Sequence, residues 1–153
     1  MSTSVTVDID PEVLRGFIDE ANDALADVDA LFIELENDPH NLEIVNAIFR
    51  PVHSLKGNAP FFGFTKMKSL AHEMESVLQL VREERLGVSK NLIDTLLRGL
   101  DELKKMVARI QDGQSEVSNE ESFKNLVEEV KAIPDEVSDE GERNWKEVAH
   151  GVK

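Results

Sequence analysis

Apolar residues in this chain recur every three or four positions, and nowhere do they alternate with polar ones in the two-residue rhythm of a strand. That spacing gathers them on one side of an α-helix, so the chain is expected to be all-α. The first stripe is Val13, Leu14, Phe17, Ile18, Ala21, Leu25, Val28, Leu31, Phe32 and Leu35, with Asp19, Glu20, Asp23, Asp27 and Asp29 opposite. Asp10 followed by Pro11 marks its start, because proline suits the first helical position. The polar run Asn37-Asp38-Pro39-His40-Asn41 reads as a turn, with His40 solvated and inert.

A second helix begins near Asn41 and turns Leu42, Val45, Ile48, Phe49, Val52 and Leu55 inward. Pro51 falls inside it and predicts a kink or loosened turn just before His53. Ala59-Pro60 and Gly63 end this helix, and Phe61, Phe62 and Phe64 are expected to plug the bundle end. The third helix takes Thr65 as its cap and closes at Arg85-Leu86-Gly87, with Met67, Leu70, Met74 and Leu78 inward. The fourth takes Ser89 as its cap and ends at Asp112-Gly113. Four amphipathic helices joined by short turns predict an antiparallel up-down bundle. A fifth, shorter helix is expected from Asn119 to Ala132, stopped by Pro134. Residues 8–133 then form the bundle, and 134–153 a flexible acidic tail or interdomain linker in which Trp145 is the exception.

Composition narrows the chemistry. With 41% apolar residues in 153, one domain can bury a sizeable core. The absence of cysteine excludes disulfides, thiolate zinc sites and a cysteine nucleophile. No signal peptide and no apolar run of membrane-spanning length is present, so a cytoplasmic protein is expected. A formal charge of −14 makes nucleic acid and anionic membranes poor partners. Neither a Gly-x-x-x-x-Gly-Lys-Ser/Thr loop nor a Gly-x-Gly-x-x-Gly turn occurs, so no cofactor is expected, and ATP would act only through a separate domain. Carboxylate-bridged metal sites in bundles need two Glu-x-x-His pairs; the chain has one, Glu147 and His150, so no metal is expected.

The chemistry concentrates at His53, Lys56 and Gly57, which share one helix face at i, i+3 and i+4. Imidazole is a nucleophile as well as a base. A lysine one turn away can hold an anionic group near the ring. Glycine in mid-helix costs about 1 kcal/mol relative to alanine, and what it offers is room for a partner's backbone. Together they suggest a histidine that exchanges an anionic group, such as phosphoryl, with another macromolecule. His72 and Glu75 on the third helix are candidate neighbours.

His53-Ser54-Leu55-Lys56-Gly57, followed by Ala59 and Phe62-Gly63-Phe64, resembles the histidine phosphotransfer (HPt) domain, in particular the kind that opens chemotaxis histidine kinases. That family reads His-Ser-Ile-Lys-Gly-Gly-Ala-Gly-Thr-Phe-Gly-Phe, and a later His-x-x-Glu is matched by His72-Glu73-Met74-Glu75. The resemblance runs from about Asp10 to Ala132; Asn58 and Pro60 depart from it where the family often has glycine, and Pro51 precedes the histidine. It implies that His53 is the phosphoacceptor through Nε2 and that Glu75 accepts from its Nδ1–H. Lys56 would offset phosphoryl charge, His72 join the polar network, and Gly57 leave room for the partner. The implied partners are the ATP-binding domain of a histidine kinase and the receiver domain of a response regulator. A fragment of such a kinase is the preferred reading. A stand-alone phosphorelay protein is the alternative, and a helical adaptor with an inert His53 is the reading from a different class.

Overall fold

The computed structural model describes residues 9–137. Its helices are α1 (Pro11–Leu25), α2 (Val28–Asn37), α3 (Leu42–Asn58), α4 (Thr65–Arg82), α5 (Lys90–Gln111) and α6 (Glu120–Val137), with a 3₁₀ turn at Ala59–Phe62. Helices α1 and α2 together form one arm of an antiparallel up-down four-helix bundle. They pack on α3 and α5, while α4 closes the ring between α3 and α5. Helix α6 lies against α4 and α5.

The first arm is two helices where the apolar stripe predicts one. The stripe itself holds: Leu25, Val28, Phe32 and Leu35 are all buried. The backbone breaks at Ala26 and Asp27, and Asp27 becomes the N-cap residue of α2. The break has one favourable electrostatic consequence at the start of α2. A continuous helix would carry Asp27 and Asp29 in its middle, whereas the break sets both at the positive end of a new helix. Val13 and Leu42, expected inward, are exposed.

Helix α3 starts as expected, with the Asn41 side chain accepting from the backbone N–H groups of Glu43 and Ile44. It continues through Pro51 as one element. Val52 and Leu55 face the core at 0% and 3% exposure, which turns His53 outward between them. Gly63 ends the 3₁₀ turn at φ 79°, a left-handed conformation that other residues adopt only at a cost. Of the three aromatics expected to plug the bundle end, Phe62 and Phe64 do pack on Phe17, at centroid distances of 4.8 and 5.9 Å. Phe61 points away and is 77% exposed.

Thr65 does not cap α4; it is the first helical residue, and Phe64 stands at the cap position without a side-chain bond. The cap comes instead from Glu116 in the loop between α5 and α6. Its carboxylate accepts from the Met67 N–H at 2.7 Å and the Lys66 N–H at 3.4 Å. The turn after α4 takes its left-handed residue at Glu84, φ 59°, rather than at Gly87. The expected caps of α5 hold at both ends, with Ser89 Oγ accepting from the Leu92 N–H and Gly113 at φ 78°.

Helix α6 runs past the expected stop at Pro134 to Val137. Ile133 extends the stripe of Phe123, Val127 and Val130 and is completely buried, so packing carries the helix through the proline. The remainder of the expected tail, with Trp145, Glu147 and His150, lies outside the described residues.

Candidate functional site

The site forms where α3 and α4 run antiparallel. Glu75 lies on the side of α4 that faces α3, and its residue is 8% exposed. One carboxylate oxygen, Oε2, pairs with Nδ1 of His53. The other, Oε1, accepts from Lys56 Nζ at 2.6 Å. A carboxylate offers only acceptors, so the proton of a neutral His53 ring sits on Nδ1 and the lone pair on Nε2. About 60% of the His53 side chain is open to solvent, and no described residue bonds to Nε2. The arrangement is an anchored imidazole with its nucleophilic nitrogen facing outward.

Burial by itself pushes the Glu75 carboxyl up. The hydrogen bonds and charges of Lys56 and His53 outweigh it and hold the group below the ordinary carboxylate range. Glu75 is therefore an anion throughout the neutral range. Lys56 is itself partly buried and committed to Glu75, so it balances the carboxylate in the resting structure.

Gly57 is exposed on α3, and a Cβ there would meet nothing within 4 Å. The fold does not require the glycine; the space it spares lies outside the molecule. His72 is exposed on α4, and no described residue hydrogen-bonds its ring. The structure thus brings His53, Lys56 and Glu75 together, leaves Gly57 open beside them, and does not join His72 to their network. Among the described residues no three His, Asp or Glu side chains group so as to hold a metal ion.

Two further residues belong to this corner. Phe49, which the apolar stripe assigns inward, stacks on His53 with centroids 5.6 Å apart and planes 13° from parallel. Arg82, from the last turn of α4, sets its guanidinium carbon 4.1 Å from the centroid of the Phe49 ring. The i, i+4 spacing of Phe49 and His53 is a sequence signal for their contact; nothing in the sequence signals Arg82. The local charge is also unlike the rest of the chain. From Ile44 to His72 there are four basic residues, Arg50, Lys56, Lys66 and Lys68, and no acidic one, in a protein of net charge −14.

A helical bundle that presents one exposed imidazole, oriented by a buried carboxylate, defines a histidine phosphotransfer module. The chain belongs to the Hpt domain family, whose model matches residues 12–113. It is 31% identical over 124 residues to the sensor histidine kinase CheAY of Helicobacter pylori, covering 80% of this chain and 15% of that protein. The solution structure of the histidine phosphotransfer domain of CheA superposes with a TM-score of 0.71 at 29% identity, covering 82% of this chain and 93% of that one. The phosphorylated P1 domain of CheA3 from R. sphaeroides, solved in complex with CheY6, shares the fold, with a TM-score of 0.74 at 24% identity over 83% of this chain and 98% of that one. The chain spans 15% and 16% of the length of curated relatives such as CheAY and the CheA of Listeria monocytogenes.

Proposed function

We propose that His53 is the phosphoacceptor of a chemotaxis-type two-component pathway. Its Nε2 lone pair attacks the γ-phosphorus of ATP held by a separate histidine-kinase domain. The N–P bond forms as the bond to the leaving ADP oxygen breaks. The positive charge that develops on the ring is offset by Glu75, which keeps its hydrogen bond to Nδ1–H throughout. In the second step an aspartate carboxylate of a receiver domain attacks the phosphorus, and the N–P electron pair returns to Nε2. Lys56 lies one turn from the ring, where its charge serves the incoming phosphoryl group as well as Glu75. Gly57 lets the partner's backbone approach. The relative solved with CheY6 supports a receiver as the partner.

The observation that carries this reading is the contrast between a ring 60% open to solvent and its buried carboxylate partner at 11% exposure. Among the described residues no helix is long and apolar enough to cross a membrane, and the reading puts the domain in the cytoplasm, where an ATP-dependent donor operates. The test is incubation with acetyl phosphate, or with a cognate kinase and ATP, followed by intact mass measurement. A single acid-labile, base-stable phosphoryl adduct is expected, and it should disappear in His53→Gln. An adduct that survives this substitution would remove His53 from the role.

A further inference from the structure

The hydrogen bond to Glu75 holds His53 at one atom only. A ring fixed at Nδ1 can still hinge about that bond, and 60% of the side chain faces solvent with nothing against it. Nε2 therefore needs a second constraint to keep a constant direction. The face of Phe49 supplies it, with planes 13° from parallel at 5.6 Å. Phe49 is itself only half-buried, and its ring would rotate unless something covered it. The cover is Arg82, whose guanidinium stands 4.1 Å from the ring centroid and whose Nη1 donates to Gln79 Oε1 at 3.3 Å. Gln79 is steadied in turn by its 2.7 Å bond to Glu83. Glu75, Gln79 and Arg82 succeed one another at i, i+4 and i+7 along α4, so one face of that helix supplies both constraints.

We propose that Phe49 and Arg82 are positioning residues that fix the plane of the His53 ring, Arg82 acting only through Phe49; the proposal rests on His53 being the phosphoacceptor. Glu75 selects the tautomer and this pair selects the direction of Nε2. In-line attack on phosphorus demands both, because a small misorientation of a nucleophile is costly in rate.

The test uses Arg82→Ala, Phe49→Leu, their combination and the ring-conserving Phe49→Tyr, each compared with wild type in two measurements. The first is the NMR shift of the His53 ring protons, which a stacked phenyl ring displaces by its ring current. The displacement should shrink in Arg82→Ala, vanish in Phe49→Leu and persist in Phe49→Tyr. The second is the rate of phosphorylation, expected to fall about tenfold in Phe49→Leu and several-fold in Arg82→Ala. Adding Arg82→Ala to Phe49→Leu should cost nothing more, since neighbours that act as a unit are not additive. Additive losses, or an unchanged His53 shift in Arg82→Ala, would overturn the proposal. If wild type itself takes no phosphoryl group the functional reading fails, while the NMR arm still decides whether the pair holds the ring. Arg82 is the last, only partly buried residue of α4, so its alanine variant is expected to fold and keeps the test usable if Phe49→Leu does not.

Discussion

Glu75 and His53 lie 22 positions apart on successive helices, and the carboxylate of one holds Nδ1 of the other. The same carboxylate holds Lys56 through its second oxygen. Removing it leaves the ring free to carry its proton on either nitrogen. Glu75→Ala is expected to shift the neutral His53 toward the Nε2–H form, visible in its ring ¹⁵N shifts, and to slow phosphorylation on the order of tenfold. The fold should lose only about 1 kcal/mol, because the partly exposed Lys56 can be rehydrated. Identical ¹⁵N shifts in the two proteins would reduce Glu75 to a structural charge.

The pH dependence of stability follows from the same carboxylate. Its folded-state pKa is depressed, so the folded protein binds this proton less tightly than the unfolded chain does. The stabilisation is present above the ordinary value of 4.5 and is lost as pH falls through the lower folded value. Urea denaturation of wild type and Glu75→Gln through the acid range should show wild type losing its advantage over that window. A constant gap between the two curves would mean that the ion cluster contributes nothing to stability.

Glu116 should titrate in the opposite sense. Burial raises its pKa above 4.5 despite the bonds from Met67 and Lys66, so the protonated form is the one the fold favours. That contribution is full below 4.5 and is lost as pH rises through the folded value. Relative to Glu116→Gln, which keeps an acceptor for the Met67 N–H, wild type should gain stability as pH falls toward 4.5. Glu116→Ala removes the only side-chain cap of α4 among the described residues and should cost about 1–2 kcal/mol at neutral pH. Equal melting temperatures for wild type and the alanine variant would show that the cap is idle.

Gly57→Ala separates fold from function. The added methyl meets open space, and alanine is the better helix former, so stability should rise by about 0.5–1 kcal/mol. On the proposed function, phosphoryl exchange with the partner should nevertheless slow, because the methyl would occupy the space proposed for the partner's backbone. A variant both more stable and equally fast would leave Gly57 without a role.

Glu84 holds φ 59° without being glycine. Its N–H and that of Arg85 turn back to the Val81 and Leu80 carbonyls at 3.0 and 2.9 Å, so the conformation is set by the helix end. Glu84→Gly should stabilise by about 0.5–1 kcal/mol in thermal denaturation, with no change at His53. A loss of stability would mean that the flexibility gained by the unfolded chain outweighs the relieved strain.

The parts of this molecule that were legible in the sequence are those set within one or two helical turns. The stripes identify the helices, and Asn41, Ser89 and Gly113 mark ends because each acts on backbone groups only a few residues away. His53, Lys56 and Gly57 could be singled out for the same reason, since i, i+3 and i+4 positions share a face whatever the helix packs against. Asn41 and Thr65 are alike as sequence signals, yet only Asn41 caps its helix. What displaced Thr65 was Glu116, some fifty positions further on. No local pattern contains that information.

Periodicity, capping and side-chain chemistry are short-range properties, so the chain alone marks out the helices, most of their buried sides and His53 as the candidate site, and the family resemblance adds Glu75 as its partner. The fold was needed to leave His72 outside the network that the resemblance assigned it to, and to lay Phe49 against the His53 ring with Arg82 against Phe49. It also decided that Ile133 draws α6 past Pro134 and that Phe61 stays in water while Phe62 and Phe64 go under Phe17. Each of these depends on which faces of two helices come together and at what height along their axes. That is settled by the packing of the whole core at once.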